Sequence, residues 1–220
     1  GRIHTGKEII KCYRQARSGR IKNINLDLMW GLPGQTTSQA IQDLELAVKL
    51  KPDHISWYQL TIEPNTIFAS SKPRLLDEDT QCSIETGGSQ VLKKAGYERY
   101  EVSAFAKAGK ACRHNQNYWN FGDYFGIGPG AHGKLTKIEE SGVRIFRTEK
   151  LKQPASYIKN PTHTIMKEVS NSEYIPEFLM NALRLKDGVD WSTFEEKTGL
   201  FFGDIQYEWK KLTDKGLVES

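Results

Sequence analysis

Long apolar runs are missing from this 220-residue sequence. No stretch approaches the roughly 18 residues of a membrane-spanning helix, and no signal peptide opens the chain. Cysteine is scarce, and its three residues, Cys12, Cys82 and Cys112, stand far apart. An odd count at that spacing argues against a disulfide framework and fits no zinc or cluster motif, which points to reducing cytoplasm. An excess of one charge is also missing: 31 basic and 27 acidic groups leave a net +4, too mild to name a polyanionic partner. What remains, 38% hydrophobic and 26% charged, is the composition of a globular protein. The length suits one medium domain, or one with a small second domain.

The first 62 residues alternate between helical and extended patterns. Thr5 and Glu8 have capping-box spacing, Ile9, Tyr13 and Ala16 form one stripe, and Gly19 is a natural stop. INLDLMW (24–30) reads as a strand, and Gly31-Leu-Pro-Gly as a turn. Thr36 with Gln39 opens a helix marked by Ile41, Leu44 and Val48 and closed by Pro52, before a strand in HISWYQLTI (54–62). Helix–strand–helix–strand of this length predicts βαβ units and a parallel sheet.

Within the first strand, Ile24, Leu26, Leu28 and Trp30 share one face, leaving Asn23, Asn25, Asp27 and Met29 on the other. A parallel strand covered on both sides reads apolar throughout. A polar face with a carboxylate instead suggests a wide barrel whose lumen holds a polar ligand; an edge strand facing water is the alternative.

Asp77–Gly96 reads as a helix despite Gly87-Gly88, YERYEVSAFA (97–106) as a strand, and residues 134–150 as a hairpin turning at Ser141-Gly142. From about 155 the texture changes. Residues 1–150 carry 22 basic and 16 acidic groups, residues 151–220 only 9 and 11. Three helices, Glu173–Leu185, Trp191–Thr198 and Gly203–Lys215, are followed by a strand beginning at Leu217-Val218, the outline of a winged helix cut short. Absence of an initial methionine gives the chain the look of a fragment. The expected division is therefore 1–150 and 151–220. The acidic balance of the tail opposes nucleic-acid binding, where phosphate contacts dominate.

One stretch, CRHNQNYWNFGDYFGIGPGAHG (112–133), concentrates histidines, aromatics and glycines. Such clusters surround flat ligands, but they also occur in ordinary tight cores. It is not a GxGxxG phosphate loop, since Ala131 stands in the third glycine's place. With NLDLMWGLPGQT, HISWYQLTIEPNT and YERYEVSAFA upstream, its segments CRHNQNYW and YFGIGPGAHGK complete five ordered motifs. Together they resemble the HemW-type haem chaperones of the radical S-adenosylmethionine superfamily, relatives of the oxygen-independent coproporphyrinogen III oxidases.

That resemblance implies an α/β fold: the C-terminal half of a partial (β/α) barrel, followed by a small helical, winged-helix-like domain. It implies S-adenosylmethionine and haem as ligands, and a [4Fe–4S] cluster in the full-length protein only, because the family's Cys-x₃-Cys-x₂-Cys loop has no counterpart here. It matches Arg2 to an arginine for the cofactor's methionine carboxylate, Asp27 to an aspartate for its ribose hydroxyls, and Thr61 to a backbone contact. His114, Asn115, Tyr118 and Trp119 carry the chaperone form His-Asn-x-x-Tyr-Trp. The oxidases have a different segment there, which speaks against coproporphyrinogen decarboxylation. A neutral imidazole is a good axial ligand for haem iron and an aromatic ring can stack on a porphyrin. For His114 the haem-ligand and core-histidine readings both stay open, with His132 a second candidate. The implied partners are haem and haem-accepting proteins, respiratory enzymes among them, with homodimerisation an open question.

Overall fold

The computed structural model describes residues 4–140 and 142–218. The chain divides into two compact units, one ending at Cys112 and the other beginning at Arg113.

The first unit comprises α1 (Gly6–Ser18), β1 (Asn25–Trp30), α2 (Thr37–Lys49), β2 (His54–Gln59), α3 (Ile67–Ser71), α4 (Glu78–Lys94), β3 (Glu98–Glu101) and β4 (Ala104–Ala106). Both capping boxes form. Glu8 Oε2 accepts from Thr5 N at 2.7 Å, and Gln39 Oε1 from Thr36 N at 2.9 Å, satisfying donors that a helix start leaves unpaired. Gly19 is not the left-handed stop of α1: its φ is −74°, and Arg20 takes the positive φ of 64°.

Four strands form one sheet in the order β1-β2-β4-β3. β1 and β2 are parallel, from Asn25 opposite His54 to Trp30 opposite Gln59. The sheet is not parallel throughout. YERYEVSAFA folds back on itself as β3 and β4, and β4 runs antiparallel to both β2 and β3. α2 and α4 cover one face, where Leu44, Ile84 and Leu92 bury against Trp30, Ile55, Trp57 and Phe105, with Leu28 packed beside them. Gly88 is buried because the Trp57 ring occupies the place where its Cβ would stand.

The second unit comprises α5 (Arg113–Trp119), β5 (His132–Glu139), β6 (Gly142–Glu149), α6 (Pro154–Lys159), β7 (Ile165–Glu168), α7 (Asn171–Ala182), α8 (Trp191–Thr198), a 3₁₀ turn at Phe202–Asp204 and α9 (Gln206–Asp214). β5, β6 and β7 form an antiparallel sheet. The predicted hairpin spans β5 and β6, although Ser141 at its turn lies outside the described residues.

Ile145 of this hairpin is fully buried with Phe121, Tyr174, Phe178 and Phe194. Packing therefore draws the hairpin into one body with the helices, whereas the change in sequence texture falls at about 155. The expected strand at Leu217-Val218 is not formed; those residues follow α9 as a bend. The helix α7 ends at Ala182 rather than Leu185, and Leu183, just beyond it, is 61% exposed.

Candidate functional site

On the sheet face opposite the α2 and α4 core, β1 and β2 bring together Asn25, Asp27, His54 and Ser56. Asp27 is exposed, and its Oδ1 accepts from Asn25 Nδ2 at 2.8 Å. That bond orients the amide, so Asn25 Oδ1 is the atom 2.7 Å from His54 Nδ1. An amide oxygen only accepts, which puts the imidazole proton on Nδ1. His54 Nε2 is then the acceptor for the Tyr100 hydroxyl at 2.7 Å. Tyr100 accepts in turn from Cys112 N at 3.3 Å.

His54 is buried, and burial lowers its pKa, with the Asp27 charge opposing the shift. This polar chain holds Asp27 facing outward with acceptor capacity to spare, suited to paired hydroxyl groups. Thr61 is exposed two residues beyond the end of β2, which stops at Gln59 rather than continuing to 62. Arg2 lies outside the described residues.

The three cysteines do not supply a cluster loop. Cys12 and Cys82 are exposed on α1 and α4 respectively, and Cys112 ends the first unit. Among the described residues no group of three histidine, cysteine or acidic side chains could hold a metal ion. The residues present do not fit an iron–sulfur cluster.

In the second unit the His-Asn-x-x-Tyr-Trp segment is the helix α5. Four residues are close to one helical turn, so His114 and Tyr118 share a face, and both meet Tyr124, at ring separations of 6.5 and 5.0 Å. His114 is exposed, unlike the satisfied core histidine His54. Burial and the contact with Tyr118 push Tyr124 up to about 12, so its hydroxyl stays protonated at neutral pH.

Lys134 fixes Tyr124 in place. Its ammonium, on a side chain only 1% exposed, donates to Phe121 O (2.9 Å), Asp123 Oδ1 (3.0 Å) and Thr136 Oγ1 (2.9 Å). The turn is thereby tied to β5, where Tyr124 and Lys134 exchange backbone hydrogen bonds. Burial lowers the Lys134 pKa. Burial alone would raise that of Asp123, yet hydrogen bonds from Thr136 and Lys134 leave it lowered.

Trp119 turns to a different side of α5. It lines a cavity of about 510 Å³ with Tyr118, Arg147, Glu177, Met180 and Arg184. Asn115 is half-buried, and His132 is exposed at the first position of β5. Tyr124, Arg147 and Arg184 were not singled out in the sequence. Tyr124 had a signal, an aromatic inside the glycine-rich stretch, but the arginines join the cavity only through the tertiary fold.

Known proteins resemble the chain along nearly its whole length. Haem chaperone HemW of Haemophilus influenzae (strain ATCC 51907 / DSM 11121 / KW20 / Rd) is 48% identical over 200 residues, covering 91% of this chain and 51% of that protein. Haem chaperone HemW of Escherichia coli (strain K12) is 44% identical over 200 residues, covering 91% and 52%. The chain belongs to the HemW family. It spans about half the length of these curated relatives. Residues 169–220 match the family model described as HemN C-terminal domain. The solved structure of Escherichia coli coproporphyrinogen III oxidase (HemN), titled a radical SAM enzyme, superimposes with a TM-score of 0.74. It matches 99% of this chain and 54% of its own, and at 19% identity the likeness shows the fold, a radical SAM α/β architecture.

Proposed function

We propose that this chain is the haem-handling part of a HemW-type chaperone, binding haem for transfer to haem-requiring proteins, respiratory enzymes among them. The observation that carries the reading is the exposed His114 on α5, with Tyr118 and Tyr124 beside it. An accessible imidazole flanked by aromatic rings can ligate iron while the rings contact the macrocycle. Asn115 and Trp119 belong to the same segment, and His132 is the second imidazole to test. The relatives' name, haem chaperone, supports the reading. Coproporphyrinogen oxidation has only the fold likeness in its favour.

The face around Asp27 is proposed for S-adenosylmethionine, with the carboxylate on the ribose hydroxyls, Thr61 at the strand end and Arg2 on the methionine carboxylate. The [4Fe–4S] cluster is proposed for the full-length protein only. The whole protein is proposed to reside in the cytoplasm, where it can form a homodimer. No helix among the described residues is long and apolar enough to cross a membrane.

Haem titration of the wild type and His114→Ala, each first shown to be folded by circular dichroism, tests the reading. The expected result is a shifted Soret maximum and an affinity at least about tenfold weaker in the variant, the cost of one lost ligand interaction. Identical spectra and affinities would make His114 a bystander and direct the same test to His132.

A further inference from the structure

We propose that the cavity lined by Trp119 and Arg184 binds the acid-bearing edge of a tetrapyrrole, with Arg184 as the partner of a propionate. This rests on the haem reading above and extends it to Arg184 and Met180, which that reading does not use.

The cavity measures about 510 Å³, within the usual range for small-molecule sites. Its walls include the rings of Tyr118 and Trp119, 4.8 Å apart edge to face, and the thioether of Met180, which is 75% exposed. Flat apolar surface is available there for a flat ligand.

The charges are unequally committed. Arg147 is paired with Glu177 and also donates to the Tyr124 hydroxyl at 3.2 Å. Arg184 has no carboxylate partner among the described residues. Its guanidinium lies over the Trp119 indole at 4.5 Å. Two donors buried in this stack, Arg184 Nε and Trp119 Nε1, have no acceptor. Buried donors are as a rule satisfied, and a guanidinium fork matches a carboxylate better than it matches a ring face. A porphyrin supplies the acceptor that Arg184 Nε lacks and a flat ring for the face of Trp119. Its ring takes the guanidinium's place on the indole, and its propionate receives the released Arg184. An inorganic anion would use the arginine and leave the aromatic walls idle.

The test uses the full chain with metal-free protoporphyrin IX and its dimethyl ester, titrated by fluorescence against wild type, Arg184→Gln and Arg184→Lys. Wild type is expected to prefer the diacid by about tenfold, equivalent to one charge-assisted hydrogen bond. Arg184→Gln should erase the preference, and Arg184→Lys should keep part of it. Equal affinity for acid and ester in wild type overturns the proposal, as does failure to bind protoporphyrin, and neither outcome depends on a variant folding. A glutamine variant that retains the preference overturns it too. Because these probes lack iron, His114→Ala should leave the preference intact. Loss of the haem Soret response with an unchanged acid preference would then localise the failure to one claim and not the other.

Discussion

Lys134 shows how one residue of a glycine-rich motif can be structural while its neighbours remain candidates for binding. Its ammonium meets three oxygen acceptors and sits 4.1 Å from the centre of the Phe121 ring. Lys134→Met keeps the aliphatic bulk but leaves Asp123 and the Phe121 carbonyl without their cation. Removing one member of a buried pair costs about 3–5 kcal/mol. Asp123 is 41% exposed and recovers water, so a loss of about 2 kcal/mol is expected in urea denaturation. A variant as stable as wild type would show that the turn holds itself. The exposed polar face that carries Asp27 was legible from strand alternation alone. His54 and Tyr100 were not: they stand 46 positions apart in sequence, and only the β1-β2-β4-β3 order brings them to one face. Arg147 and Arg184 were hidden for the same reason, since charged residues on a hairpin and after a helix read as ordinary surface.

Elements with strong local signals formed close to where the sequence placed them. α2 and α4 have caps that satisfy their first-turn donors, and an apolar stripe that reaches the sheet. Short elements were harder. α5 is a helix of 7 residues, too short for periodicity to separate it from a strand. The β3–β4 hairpin hides in what reads as one alternating strand, because Val102-Ser103 carries no Asn-Gly or Asp-Gly signal. The glycine pair in α4 separates two effects. Gly87 and Gly88 each forgo about 1 kcal/mol of helix propensity. A Cβ at Gly87 would lie 3.2 Å from the flexible tip of Ile41, whereas one at Gly88 would fall on the buried Trp57 ring. Gly87→Ala is therefore expected to be neutral or slightly stabilising. Gly88→Ala should lose about 1–3 kcal/mol through overpacking. Thermal melts of the two variants check this, and equal melting temperatures would mean that Trp57 moves aside without cost.

For the whole molecule, family and fold class were legible in five ordered motifs, and the expected partial barrel with a helical tail agrees with the HemN likeness. The packing division at Cys112–Arg113 was not legible, because no composition shift marks a hairpin that turns its apolar side toward later helices. Chemistry at this scale depends on what a chain spanning about half its relatives' length can assemble. Clusters of the [4Fe–4S] type are held by thiolates brought together by closely spaced motifs. Here Cys12 and Cys82 are exposed on two separate helices and Cys112 stands at the end of the first unit. No rearrangement that keeps α1 and α4 intact turns those positions into one loop. Anaerobic reconstitution with iron and sulfide is expected to give no stable cluster absorbance, and reduction in the presence of S-adenosylmethionine to yield no 5′-deoxyadenosine. Haem binding should survive in the same preparation, since neither α5 nor the Trp119 cavity contains any of these cysteines. Detecting 5′-deoxyadenosine above a cysteine-free control would overturn the separation of radical chemistry from haem handling in this chain.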